Sequence, residues 1–220
     1  MALNKLKFNS INVTAAANEA LKFNSSANGF ETGSAGGAIT FIKKLTASSS
    51  STLSFVDGSS SVVLDNTYKE YLFTFKNIHP ATNGVAFQFN LSVDSGSNYN
   101  VTKTSTSMRA YVYEDGSSGT FQYESSHDLA QSTSAERLCA VDLGNDHDQS
   151  LSGFLHLFDP SNTTFVKHYT AQTHHSHEAD LPVNFFKSGY GNTTSAVDAI
   201  QFSMSSGNID SGDIVLYGIN

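Results

Sequence analysis

The stretch YKEYLFTFKNIHPATNGVAFQFNLSV, residues 68–93, decides the fold. Its aromatic-rich faces hold Tyr71, Phe73 and Phe75 in the first arm, and Phe87, Phe89, Leu91 and Val93 in the second. Successive side chains of a strand point to opposite faces, so this alternation predicts two strands, each with an apolar face. Between the arms, Pro80 and the Asn83-Gly84 pair favour a chain reversal. We therefore expect one hairpin whose apolar face is covered by a second sheet.

The rest of the chain repeats this pattern. Alternating segments recur roughly every ten residues between turns rich in Ser, Gly and Asn, as in sandwiches and jelly rolls. They are residues 38–47, 52–56, 107–114, 120–124, 152–158, 165–173, 181–188, 199–205 and 213–218, with a serine turn at 48–51. Residues 159–163 resemble the turn at 79–83, which predicts a second, similar hairpin, and residues 128–137 are the best candidate for a short helix. The predicted fold is an all-β, jelly-roll-like antiparallel β-sandwich preceded by an extended N-terminal arm.

Residues 1–37 differ from the rest of the chain. The pentapeptide Leu-Lys-Phe-Asn-Ser occurs at 6–10 and again at 21–25, and each copy predicts a strand too short to bury its own apolar side chains. We interpret residues 1–37 as an extended anchoring arm and residues 38–220 as the β-sandwich domain. The apolar residues that would contact a partner are Leu6, Phe8, Ile11, Val13, Leu21 and Phe23. The alternative is a disordered leader that ends in the flexible joint GSAGG at 33–37.

The composition excludes some classes of partner. A formal charge of -8 and sparse Lys and Arg argue against nucleic-acid binding, which depends on clustered positive charge. We expect neither a signal peptide nor a membrane span, because no apolar run has the required length. The one cysteine, Cys139, lies among Leu138, Ala140 and Val141, which predicts a buried thiol.

Two groups of side chains are weak candidates for metal binding. Asp142, Asp146 and Asp148 alternate beside a glycine, as in a calcium loop, but the glutamate that closes an EF-hand is missing. His175 and His177 point to the same side of an expected exposed loop, and three such pairs could meet on the threefold axis of a trimer. The simpler interpretation in both cases is a polar turn, so we expect no metal.

The sequence also carries no pattern typical of catalysis. It has no nucleophile elbow, no glycine-rich loop that opens a helix and no pair of carboxylates at a spacing suited to glycoside hydrolysis. We therefore expect a protein that is not an enzyme and that needs no cofactor. Tyr111, Tyr113 and Tyr190 are candidate contacts for a glycan, although packing at the edge of a sandwich would explain them equally well.

Four segments resemble a family of virion structural, tail-fibre-like proteins from tailed phages of marine bacteria, cyanophages among them. They are YKEYLFTFKNIHPATNGVAFQF (68–89), GSNYNVT (96–102), LGNDHDQSLSGFLHLF (143–158) and GYGNTTSAVDAIQFSMSSGNIDSGDIVLYG (189–218). The resemblance covers residues 38–220 and implies a place on a virion. It brings no catalytic residues with it, and the N-terminal arm is the variable part of such proteins.

These observations lead to two expectations about function. In the first, the chain is a capsid decoration or head-fibre protein, homotrimeric, whose arm lies on the major capsid protein. In the second, it is a tail fibre or tail-associated adhesin, attached to a tail or portal protein, which binds host surface polysaccharide. Both versions are made in the host cytoplasm and end up in the virion.

Overall fold

The computed structural model describes residues 20–33, 37–140 and 142–220. Within them the chain forms fourteen β-strands and one 3-10 turn at Ser125–His127. The strands are β1 (Ala20–Phe23), β2 (Phe30–Gly33), β3 (Ile39–Ser50), β4 (Thr52–Val56), β5 (Glu70–Pro80), β6 (Phe87–Ser92), β7 (Lys103–Val112), β8 (Gly119–Tyr123), β9 (Glu136–Arg137), β10 (Leu151–Phe158), β11 (Lys167–Ser176), β12 (Pro182–Gly191), β13 (Ala199–Met204) and β14 (Ile209–Ile219). No helix in these residues is long and apolar enough to cross a bilayer.

Most of the strands belong to two antiparallel sheets. The large sheet has the order β3-β14-β5-β10-β11-β12-β7-β8, and the small sheet has the order β4-β13-β6-β9. Aromatic side chains fill the space between them, so the predicted all-β sandwich is confirmed. Phe202 on β13 lies at the centre, with its ring centroid 5.4 Å from that of Phe75 and 5.7 Å from that of Phe87.

Residues 68–93 form two strands, but the prediction of a hairpin is wrong. The first arm, β5, lies in the large sheet between β14 and β10, whereas the second arm, β6, lies in the small sheet between β13 and β9. The two aromatic faces meet across the core, where the ring centroids of Phe75 and Phe87 are 5.2 Å apart. The segment is therefore an arch between the sheets, while β10 and β11 do form a hydrogen-bonded hairpin.

An irregularity near the end of β5 bends this strand, although residues 78–80 still pair with β10 and β14 in the large sheet. Asn77 has a φ of 49°, and the register between β5 and β14 shifts on both sides of Ser211. Gly212 allows this close approach, because a Cβ at that position would lie 2.5 Å from the carbonyl oxygen of Asn77. Bulges of this kind bend a strand. The chain also passes from one sheet to the other at the serine run 48–51, since β3 belongs to the large sheet and β4 to the small one.

The predicted short helix at 128–137 is wrong. The backbone of Leu129 exchanges hydrogen bonds with Ser105, and the backbone N–H and C=O of Ser132 pair with those of Lys103. These backbone N–H and C=O groups therefore pair with β7, whereas in a helix they would pair with each other. Gln131 also has a φ of 51°, which interrupts a right-handed helix.

The chain divides into two compact units, residues 1–40 and residues 41–220. In the first unit, β1 and β2 form an antiparallel hairpin in which the rings of Phe23 and Phe30 stack with centroids 4.9 Å apart. The predicted boundary after residue 37 stays a prediction, because residues 34–36 lie outside the described part of the chain.

Candidate functional site

The small sheet covers only part of the large one, and residues 124–140, here called the cover segment, close the remaining side. The segment starts beside β7, where the N–H of Glu124 donates to the carbonyl of Ser107 at 2.9 Å. It ends beside the small sheet, where β9 pairs with β6 and the N–H of Leu138 donates to the carbonyl of Phe87. The inner faces of β7, β11 and β12 lie beneath it.

A fully buried ion pair joins the cover segment to the large sheet. Nζ of Lys187 on β12 lies 2.9 Å from Oε1 of Glu136, and both side chains are 0% exposed. The hydroxyl of Tyr169 donates to Oε2 of the same glutamate at 2.5 Å, and Nζ of Lys187 also donates to the carbonyl of His127 at 2.7 Å. Buried charges are tolerated when they are paired and hydrogen-bonded in this way. Nearby, burial lowers the pKa of Lys103 to about 8, although the charge of Glu136 opposes the shift.

A second group, the acid–histidine cluster, consists of Arg109, Glu124, His127, Asp142, His175 and His177. Nε of Arg109 lies 2.7 Å from Oε1 of Glu124, and its Nη1 lies 3.3 Å from Oδ2 of Asp142. His175 contacts Oδ1 of Asp142 through Nε2 at 2.6 Å, and Nε2 of His177 lies 3.5 Å from Oδ2. His127 Nδ1 lies 3.1 Å from Oε2 of Glu124. The sheet and the segments that cover it are thus held by charge as well as by apolar packing.

The structure corrects the interpretation of the histidines. His174, His175 and Ser176 belong to β11, and the side chain of His175 is completely buried, so the prediction of an exposed histidine loop is wrong for these residues. His175 cannot meet the axis of a trimer, because it is enclosed within a single chain and paired with Asp142. The alternation of the strand does bring His175 and His177 to the same side, as predicted, and both reach Asp142.

The two candidate groups for metal binding, the aspartates of residues 142–148 and the pair His175 and His177, meet at the carboxylate of Asp142. Asp142 joins the histidines, whereas Asp146 and Asp148 lie exposed in the adjoining turn. In the described residues, no group of three or more His, Cys, Asp or Glu side chains is arranged to hold a metal ion.

The charges around Asp142 control its protonation. Burial by itself would raise the pKa of this carboxyl group, but the hydrogen bond from His175 and the charges of His175, His177 and Arg109 outweigh burial and hold the pKa below 3.8. Burial lowers the pKa of His127 below 6.5, and the charge of Arg137 adds to this effect, while Glu124 opposes it. Near neutral pH, the folded protein therefore contains an ionised Asp142 and a neutral His127.

We expect the free energy of unfolding to fall as the pH is lowered from about 7 to about 3.5. Below pH 6.5 the unfolded chain protonates His127 before the folded chain does, and near pH 3.8 it does the same with Asp142, so both groups favour unfolding in acid. Urea unfolding across this range will measure the effect. His127→Gln should flatten the upper part of the curve and Asp142→Asn the lower part, and unchanged slopes in both variants would contradict the assignment.

The geometry of the cluster also limits its chemistry. A histidine hydrogen-bonded to a carboxylate is the arrangement that orients a general base in many hydrolases. Here the imidazole of His175 has no exposed surface, so it is out of reach of a substrate. Cys139 is buried as predicted, and its burial raises the pKa of the thiol, which keeps it protonated and unreactive.

The three tyrosines proposed as glycan contacts do not form one site. Tyr111 and Tyr113 lie at the end of β7 with ring centroids 6.1 Å apart, and the guanidinium of Arg109 lies over the ring of Tyr111. Tyr190 lies on β12 opposite Thr104, at the other end of β7 and on the outer face of the large sheet. It lines a shallow depression of about 390 Å³ with His168, whose ring centroid is 6.1 Å from its own.

The predicted anchoring residues lie partly outside the described residues. Leu6, Phe8, Ile11 and Val13 belong to residues 1–19, of which the structure describes nothing. Leu21 and Phe23 lie in β1, as the second copy of the repeat predicts, and the side chain of Phe23 is 66% exposed.

The sequence reasoning missed the buried charges, above all Lys103, Glu136 and Lys187. A signal for one of them was present: on β12, Lys187 continues the alternation of Val183 and Phe185, both of which are buried. A lysine in phase with two core residues predicts a buried amine that needs a partner.

Comparison with known proteins adds no assignment. No family model, curated protein or solved structure matches the chain. The function has to be argued from the geometry and from the resemblance of the sequence segments.

Proposed function

We propose that the chain is a structural protein displayed on the outside of a phage particle, as a capsid decoration or head-fibre protein anchored by its N-terminal segment. The observation that carries the proposal is the β1–β2 hairpin. Its stacked aromatic rings stay exposed, with Phe23 at 66% and Phe30 at 47%. Two strands are too few to bury their own apolar surface, so such a hairpin gains stability by packing on another surface.

The body of the protein, residues 41–220, supports the same proposal. Its aromatic core is buried, and the buried charges of the cover segment pair with other groups of the same chain, as Glu136 does with Lys187. This arrangement suits a rigid element of a particle. The resemblance of residues 38–220 to virion structural proteins points in the same direction.

Replacing the two stacked aromatics tests the anchor. The double variant Phe23→Ser/Phe30→Ser should fold as stably as the wild type, because its side chains are largely exposed, but should be lost from purified particles. Phe165→Ser is the matched control, since Phe165 is 68% exposed and lies on the body. The measurement is the amount of each variant in purified virions relative to the major capsid protein. Equal incorporation of the double variant and the control would contradict the anchor.

A tail fibre or tail-associated adhesin is the second candidate. It is favoured by the outer faces of β10, β11, β12, β7 and β8, which carry no Lys, Arg, Asp or Glu. The stoichiometry on the particle separates the two candidates. A decoration protein approaches the copy number of the major capsid protein, whereas a fibre is present as a small fraction of it.

A further inference from the structure

The outer face of the large sheet carries three parallel rows of side chains that run across the strands. The strand registers place Thr170, Ser188 and Thr106 side by side on β11, β12 and β7. On one side of this row lies the pair His168 and Tyr190, which are also directly opposite each other. On the other side, two residues further along each strand, lie Phe154, Gln172, Phe186, Met108 and Tyr123.

The three rows form a trough whose walls are mostly aromatic. Its floor carries three hydroxyl groups and ends at His156 on β10, which lies opposite Thr170. Thr106, Thr170 and Ser188 are exposed, and they are smaller than the side chains on either side. Residues 168 and 172 lie four positions apart on β11, so the walls are separated by about 13 Å, and the three strands of the floor give the trough a length of about 10 Å. The depression between His168 and Tyr190 forms one side of it.

Among the residues that the structure describes, the trough contains no charged side chain apart from its histidines. On the outer faces of β10, β11, β12, β7 and β8 the residues are aromatic, aliphatic, hydroxyl or amide types, although the chain has a net charge of -8. The carboxylates at the two ends already have contacts within the chain. At one end, Glu70 lies 3.0 Å from Nε2 of His156, and at the other Asp128 accepts hydrogen bonds from Ser107 at 2.6 Å and from Tyr123.

We propose that an uncharged polysaccharide chain binds in this trough, across the strands. Hydroxyl groups both donate and accept hydrogen bonds, so Thr106, Thr170 and Ser188 match the hydroxyl groups of a sugar. The rings of Tyr190 and His168 offer flat apolar surfaces for the faces of sugar rings. An acidic glycan would find no lysine or arginine of the described ranges in the trough to pair with its charge.

The shape of the trough favours a glycan over a second copy of this chain. A flat sheet packed on this face would bridge the walls and leave the smaller Thr170 and Ser188 beneath it without new hydrogen-bond partners, which is costly. A narrow chain rich in hydroxyl groups satisfies the floor and contacts the walls at the same time. The inference deepens the second candidate function, but it depends on the body alone and not on the anchor.

The test measures binding of the purified full-length chain to soluble neutral polysaccharides, namely dextran, mannan and laminarin, with alginate as the acidic comparison. We expect at least one of the neutral polymers to bind and alginate not to bind. Tyr190→Ala should weaken that binding about tenfold or more, because it removes an aromatic surface that the sugar covers. His168→Ala should also weaken it. Tyr113→Ala is the matched control, since Tyr113 is an exposed tyrosine outside the trough, and its affinity should not change.

Thermal unfolding of each variant will show whether the fold is intact, so loss of binding can be separated from loss of structure. The proposal is overturned if none of the three neutral polymers binds, if only alginate binds, or if Tyr190→Ala binds as the wild type does. It is equally overturned if sedimentation shows a dimer that Phe154→Glu dissociates, because a second copy would then occupy the face. Incorporation into particles is measured in a separate experiment. A negative result for polysaccharide binding therefore does not decide whether the N-terminal hairpin is the anchor.

Discussion

Replacing Glu136 by leucine is expected to lower the free energy of unfolding by about 3–5 kcal/mol, the largest effect of any single charge removal in the cover segment. The substitution leaves the ammonium of Lys187 fully buried with only the carbonyl of His127 as a close partner, and it removes the acceptor of the Tyr169 hydroxyl. An unpaired buried charge costs far more than the pair contributes. Urea unfolding at neutral pH gives the value directly.

The double variant Glu136→Leu/Lys187→Met separates two causes of lost stability, namely the unpaired charge of Lys187 and the altered packing at residue 136. With both charges gone, the apolar pair should recover most of the stability lost in the single variant, because replacing a buried ion pair by apolar residues of similar size is often neutral. If the double variant is no more stable than Glu136→Leu, then Lys187 is not the charge that Glu136 neutralises.

Phe202→Ala is expected to cost about 3–5 kcal/mol, since it empties the centre of the aromatic core. The ring contacts those of Phe73 on the large sheet and Phe89 on the small one, with centroids 5.6 Å and 6.4 Å away, and stacks on Phe87 at 14°. Its removal therefore leaves a cavity between the two sheets that the surrounding aromatic rings cannot all move to fill.

Phe165→Ala is the matched control for this prediction, because it makes the same chemical change at an exposed position. Its effect should stay within about 0.5 kcal/mol. Denaturant midpoints for the two variants give the comparison, and similar losses in both would show that Phe202 does not hold the sheets together.

The class of the fold could be predicted from the sequence because the alternation in β5, β6 and β13 follows the burial of these strands. Their aromatic residues, among them Phe73, Phe89 and Phe202, face the core between the sheets. The pairing of the strands could not be predicted in the same way. A hairpin and an arch show the same alternation, so the sequence does not distinguish them. The bulge at Asn77 also depends on a close approach to Gly212, which is far away in the sequence.

The buried charges could not be predicted from the sequence, because β7 turns its charged side chains inwards and apolar side chains outwards. Its apolar residues Met108 and Val112 face outwards, where they are 41% and 45% exposed, while Lys103, Ser107 and Arg109 face the cover segment. The carboxylates that pair with the cations come from residues 124–142, far away in sequence from β12. Only the three-dimensional structure reveals that these charges compensate one another.

The outer trough was equally hidden in the sequence. Thr106, Thr170 and Ser188 are ordinary polar residues of three different strands, and only the strand registers bring them into a row. The sequence did single out Tyr190, but it grouped this residue with Tyr111 and Tyr113, which lie at the other end of the neighbouring strand.

Hydroxyl-radical footprinting of the free protein and of purified particles tests the central claim most directly, namely that the N-terminal hairpin anchors an outward-facing body. Phe23, Phe30 and Phe165 are all exposed in the isolated chain, so all three should be oxidised in the free protein. On particles, the account predicts strong protection of Phe23 and Phe30 with continued oxidation of Phe165. Equal oxidation of Phe23 and Phe30 in both samples, or the absence of the chain from the particles, would contradict it.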